Sequence, residues 1–188
     1  MHRHPTGLGW DLSLPYVRHV KIEEIFSWIE PALLGRMLGS LGSLAALSMH
    51  RIKIPDEFPS HISRGEFGKW IITLDLLSLH CRLPTLVSII LSFPNLKELR
   101  IKYYWATPEG PLPTYPVTPE RGPLDTLELL KHADETGEAL AKSRLTSRYL
   151  SLDGDITKIE QLLLLFLDTV VEVINLLDKF FSSRYEGR

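Results

Sequence analysis

Apolar and polar positions along this chain fall into a short unit, apolar-x-x-apolar-x-apolar, that returns seven times. Its clearest copy is Ser92-Phe-Pro-Asn-Leu-Lys-Glu-Leu-Arg-Ile101, where Leu96, Leu99 and Ile101 take the three apolar places. The second place of each copy is Val20, Leu47, Leu74, Leu99, Leu127, Leu150 and Ile174, at separations of 27, 27, 25, 28, 23 and 24 residues. A period in that range marks stacked repeats. Six of the seven copies keep all three apolar places, while the sixth opens on Ser147. Alternation within the unit predicts a strand with one buried side. One copy cannot bury that side alone, so neighbours must stack into a continuous core.

Residues 1–15 hold Pro5, Gly7, Gly9 and Pro15 without a clear period and are read as a loosely ordered lead-in. Strands are then expected at Tyr16–Glu23, Leu44–Ile52, Ile71–Leu79, around Leu96–Ile101, and at Leu124–Leu130, Arg148–Leu152 and Val171–Leu177. Between them, Ser27 and Glu30 suggest a capping box for a helix whose apolar face is Leu33, Leu34, Met37, Leu38 and Leu41, closed by Gly42. Pro55–Trp70 reads as loop with at most a turn or two of helix, and Pro84–Phe93 as a helix with proline in its first turn. Six prolines between Thr107 and Pro123 forbid regular structure, so 107–123 is an inserted, partly extended loop. Helices at Asp134–Lys142 and Lys158–Thr169 follow, the second with Thr157 and Glu160 as a capping box. One domain over 16–181 with a tail at 182–188 results. Strand edges at Tyr16 and Leu177 without polar caps would favour self-association.

Taken together, Phe93–Ile101 and Leu124-Asp-Thr-Leu-Glu-Leu129 resemble leucine-rich repeats, most of all the degenerate repeats that follow the F-box in many fungal F-box proteins. The resemblance implies an α/β solenoid arc of about seven irregular repeats, with parallel strands on the concave side and helices or loops on the convex side. It also implies substrate recognition for a cullin-type ubiquitin ligase. The F-box itself is not visible, so a ligase adaptor is a partner only if an F-box lies outside this sequence. An asparagine ladder would need Asn where Ile25, Ile52, Leu79, Tyr104, His132, Asp155 and Lys179 stand, so apolar packing is expected at those places instead.

Composition narrows the function classes. With 21 basic and 23 acidic residues the net charge is −2, which gives no sign of a phosphate-tracking nucleic-acid binder. The longest apolar run, Leu162–Leu167, is too short to span a membrane, and Met1-His-Arg-His-Pro5 has no signal-peptide layout. A single cysteine, Cys81, cannot form an internal disulfide and suits the cytosol or nucleus.

No cofactor, metal or catalytic set is expected. His80 and Cys81 are adjacent, so on a strand they face opposite sides, which predicts a buried structural thiol. The remaining histidines lack metal-ligand spacing, Asp153-Gly-Asp155 lacks the other oxygens of a calcium loop, and Gly35, Gly39 and Gly42 are not followed by the Lys of a phosphate loop. The chain therefore reads as a non-enzymatic protein-binding module. A small α/β enzyme whose strand-helix alternation mimics repeats, or a repeat fragment without an independent task, are the alternatives.

The candidate contact residues are those between the apolar places. Lys21, Ser48, Asp75, Arg100, Glu128, Ser151 and Asn175 form a middle row, flanked by rows that include Glu98, Tyr149 and Lys102. Tyr103, Tyr104 and Trp105 are candidate aromatic anchors. Pro116-Val-Thr-Pro119-Glu-Arg121 matches a polyproline-groove ligand, and Thr107 and Thr118 precede prolines as phosphorylation candidates.

Overall fold

The computed structural model describes residues 16–23, 30–64, 66–102, 105–106, 122–130, 133–143, 145–153, 156–166 and 173–177. Its elements are β1 (His19–Glu23), α1 (Pro31–Gly39), β2 (Ala46–His50), α2 (Phe58–Arg64), a 3-10 turn (Glu66–Lys69), β3 (Thr73–Leu77), β4 (His80–Cys81) and α3 (Leu83–Leu91). Then come β5 (Glu98–Lys102), β6 (Trp105–Ala106), β7 (Leu124–Leu130), α4 (Ala133–Lys142), β8 (Ser147–Asp153), α5 (Ile156–Phe166) and β9 (Val173–Leu177). The fold is mixed α/β. Seven strands form one open sheet in the order β1-β2-β3-β5-β7-β8-β9, and every neighbouring pair runs parallel.

Register follows the sequence period without a slip. Val20, Leu47, Leu74, Leu99, Leu127, Leu150 and Ile174 stand opposite one another from strand to strand, so the periodic leucines form a ladder across the sheet. Leu47, Leu74, Leu127 and Leu150 are fully buried, as are Met49, Leu76 and Leu152 in the next ladder. Since alternate strand residues point to opposite faces, this buries one face only. The first apolar places, Leu44, Ile71, Leu96 and Leu124, continue the core, and in the sixth copy Ser147 takes that place without an orphaned hydroxyl. Its Oγ donates to the Tyr149 carbonyl at 2.6 Å, which offsets the cost of burying it.

The covering layer supplies the opposing side chains. Phe58, Phe93 and Phe166 are the largest fully buried groups, joined by Leu38, Ile62, Ile89, Ile90 and Leu140. Two glycines permit close approach there. A Cβ on Gly68 would stand 3.0 Å from the Ser92 carbonyl oxygen, and one on Gly137 would stand 2.7 Å from Leu162 Cδ2.

Several local expectations shift. Helix α1 starts at Pro31 with Glu30 at its N-cap and no side-chain cap bond, because the preset φ of proline begins the helix by itself; Ser27 of the expected capping box lies outside the described residues. Its buried face is Leu34 and Leu38, with Leu33 and Met37 about half exposed; the helix runs to Gly39 with Ser40 as its C-cap, short of Gly42, and Leu41 is buried just beyond its end. Helix α5 begins at Ile156, so Thr157 lies inside its first turn instead of capping it. Proline also opens α3, with Pro84 in the first turn as expected. The segment 55–70 holds two helical turns and a 3-10 turn. Most of 107–123, including the Pro116–Arg121 pattern and both threonine-proline pairs, lies outside the described residues.

The chain leaves β2 and β3 in the same way. Arg51 (φ 54°) and Ser78 (φ 56°) are both left-handed and directly follow their strands. Arg51 N donates to the Leu77 carbonyl at 2.7 Å and Ser78 N to the Lys102 carbonyl at 2.8 Å, so the bend itself is tied to the next repeat. Ile52 and Leu79 then turn inward and are 2% and 1% exposed, the apolar packing expected in place of an asparagine ladder. Beyond them a second short parallel ladder joins Lys53 to His80 and His80 to Trp105, with Cys81 beside Ala106. Cys81 is buried and His80 exposed, as their alternation requires. No described helix is long and apolar enough to cross a membrane.

Two stability outcomes follow from this packing. In urea unfolding, Leu74→Ala should cost about 2–5 kcal/mol through a core cavity, whereas Lys21→Ala on the opposite face should stay within about 0.5 kcal/mol. Ser78→Gly should stabilise by about 0.5 kcal/mol, because relief of a left-handed conformation worth roughly 1–2 kcal/mol exceeds the entropic cost of glycine. A destabilised Ser78→Gly variant would contradict the shared bend.

Candidate binding face

Residues between the apolar places emerge on the other side of the sheet, where parallel register sorts them into three rows. Lys21, Ser48, Asp75, Arg100, Glu128, Ser151 and Asn175 lie opposite one another in the middle row. His19, Ala46, Thr73, Glu98, Thr126, Tyr149 and Val173 form the first row, and Glu23, His50, Leu77, Lys102, Leu130, Asp153 and Leu177 the third. Parallel sheets are commonly covered on both faces by continuous apolar runs. Here the middle row is polar throughout while the flanking rows mix polar residues with apolar ones such as Ala46, Leu77 and Leu130, and Lys21, Glu98 and Arg100 stand exposed.

The rows are cross-linked between strands, because directly opposed side chains lie within reach of each other. Arg100 donates from Nε and Nη2 to both carboxylate oxygens of Glu128, its register partner one strand over. That hydrogen bond, helped by the nearby charges of Glu128, Asp75 and Glu98, holds the guanidinium protonated even more firmly than usual. Thr73 Oγ1 donates to Glu98 Oε2 at 3.3 Å, again between register partners. At the β1 side, His50 sits between Asp75, with Nε2 at 3.3 Å, and Glu23, with Nδ1 at 4.0 Å, and its side chain is only 12% exposed. Glu23 also accepts from Lys21 Nζ at 2.8 Å. This hydrogen bond, above the smaller effects of Lys21, His50 and Arg51 charge, holds its carboxyl below the ordinary range.

Topography divides the expected contact residues. Ser48 and Ser151 are buried at 7% and 3% and form the floor between larger neighbours; Ser48 Oγ is 2.9 Å from His19 Nε2. Asp75, Glu128, Tyr149 and Lys102 are half-buried, while Lys21, Glu98 and Arg100 project. A shallow depression of about 240 Å³ opens in the middle, walled by Thr73, Asp75, Glu98, Arg100, Thr126 and Glu128. Asn175 is placed by its pairing with Ser151. Tyr103 and Tyr104 lie outside the described residues, and Trp105 is placed by its backbone alone, on the separate short ladder rather than on the main sheet.

Two connections escaped the sequence reading. His50 bridges three strands, yet as an isolated histidine it carries no spacing signal. Asp56, between Pro55 and Glu57, accepts a short hydrogen bond from the buried Thr85 and pairs with Arg82 Nη1 at 3.1 Å, pinning the start of α3. Among the described residues no group of three or more His, Cys, Asp or Glu side chains is arranged to hold a metal ion. Asp153 has one buried carboxylate oxygen without a hydrogen-bond partner.

A double-mutant cycle over Arg100→Ala and Glu128→Ala should give a coupling of at most about 1 kcal/mol, because the guanidinium is more than half exposed to screening solvent. Unfolding midpoints of the four proteins measure it; a coupling several times larger would make this pair a determinant of stability rather than of surface shape. Set against known proteins, the chain matches no family model, and no curated protein matches it in sequence.

Proposed function

We propose that the chain is a non-catalytic protein-binding module, a leucine-rich-repeat-like arc that presents the three-row face of its sheet to a partner protein. One observation carries the reading: seven parallel strands hold the intervening polar residues in unbroken register on the face opposite the leucine core. Stacked repeats generate extended binding surfaces in this way. Preformed cross-strand pairs such as Arg100 with Glu128 fix side chains in advance, which lowers the ordering cost of association. The resemblance to repeats of F-box proteins narrows the role to substrate recognition for a cullin-type ubiquitin ligase. Its setting is the cytosol or nucleus, where the lone thiol of Cys81 stays reduced. Fold alone does not assign such a role, so it rests on that likeness.

Affinity capture with the full chain tests both levels. A reproducible partner should be retained by the native chain and lost by Glu98→Lys combined with Arg100→Glu, with an unchanged unfolding midpoint for the variant. Retention of every partner by the variant would remove the face from the reading. Cullin-adaptor subunits among the captured proteins would favour the ligase role, and their absence from a functional capture would retire it.

A further inference from the structure

The edge of the sheet where the strands begin carries an apolar groove separate from the three-row face. Ile71 takes the inward place before β3 and is fully buried, so its neighbours Trp70 and Ile72 turn outward, 58% and 41% exposed. With Pro94, Leu96 and Pro123 they line a concavity of about 420 Å³. Leu96, 3% exposed, is the floor.

Backbone groups around this groove are already engaged. Ile72 N donates to the Ala45 carbonyl at 2.7 Å, and the Ile72 carbonyl accepts from Lys97 N and Glu98 N at 2.8 and 3.0 Å. The Lys97 carbonyl accepts from Asp125 N and Thr126 N at 2.8 and 3.1 Å, and Asn95 Nδ2 donates to the Lys69 carbonyl at 2.7 Å. An incoming chain therefore cannot extend the sheet here. It must be read through side chains, and the walls that present those side chains are held in place beforehand.

Charge indicates what those side chains select. Lys69 and Lys97 both line the groove. The Asp125 carboxylate, outside that lining, is shared, 4.0 Å from Lys97 and 3.8 Å from Arg148. Among the described residues that line the groove, two are cationic and none is anionic. An exposed indole in a concave, preformed apolar setting is the kind of anchor that dominates interface energies, and cations on its rim favour a partner of opposite sign.

We propose that this groove docks a short acidic segment of a partner protein, with one apolar side chain against Trp70 and Ile72 and flanking carboxylates against Lys69 and Lys97. The proposal is independent of the three-row face. Its concavity and proline walls fit a single inserted side chain better than a flat lipid surface.

The test uses the full chain and an octapeptide of alternating glutamate and leucine, followed by proton-nitrogen chemical-shift mapping. The Trp70 indole N–H and the amides of Ile72 and Lys97 should shift and saturate. Trp70→Ala should weaken binding about tenfold or more, and Lys97→Glu, which leaves the apolar floor intact, several-fold, with unfolding midpoints unchanged. Equal binding of an alternating lysine-leucine peptide, or of a glutamate-serine peptide, would overturn the proposal, since it requires both the carboxylates and the apolar side chain. Shifts confined to Arg100 and its neighbours would also overturn it. So would self-association in ultracentrifugation that Trp70→Ala abolishes, or attachment to phosphatidylserine vesicles without peptide binding, because the occupant would then be a second copy or a membrane.

Discussion

The structure depends on burial that no single repeat can complete. Each unit offers a five- to seven-residue strand with apolar side chains on one face, too little to exclude water by itself. Side-by-side pairing turns Leu47, Leu74, Leu99, Leu127 and Leu150 into one continuous row that the helices and the 3-10 turn can cover. Since side chains alternate with period two, a slip by one residue would carry a whole set of leucines into water. Core and register are thus a single constraint, and the hydrogen bonds of the parallel ladder lock what the leucines choose.

The polar face inherits its order from that constraint. Nothing in the isolated pairing of Arg100 with Glu128, or of Thr73 with Glu98, would bring residues so distant in sequence together. They meet because the leucines on either side of them meet. The face is accordingly prepared by the core, and modest ion pairs shape it without having to support it. The same logic holds at the ends of the strands, where the left-handed Arg51 and Ser78 recur at one place in successive repeats and redirect the chain inward to Ile52 and Leu79. At the opposite end, the inward Ile71 leaves Trp70 outside.

The strand positions and their partners were legible from the seven-fold recurrence, and with them the composition of each row on the face. Burial of Cys81 followed from alternation alone, as did the apolar filling at Ile52 and Leu79 from the absence of asparagine there. Helix starts were less legible: at α1 the fixed φ of Pro31 begins the helix, although Ser27 and Glu30 spell a capping box. Which row members project was also hidden. Ser48 and Ser151 sink between larger neighbours because of their size relative to side chains contributed by other strands.

By itself, then, the sequence determined period, strand identity and the division of each strand into a wet and a dry side, because these are local properties of spacing and hydrophobicity. The tertiary structure decided what depends on relations between repeats: the bridging of Glu23, His50 and Asp75 across three strands, the pinning of α3 through Asp56 and Thr85, and the groove around Trp70. Those features arise from distances between residues some 25 to 29 positions apart, which no local pattern records and which packing alone fixes.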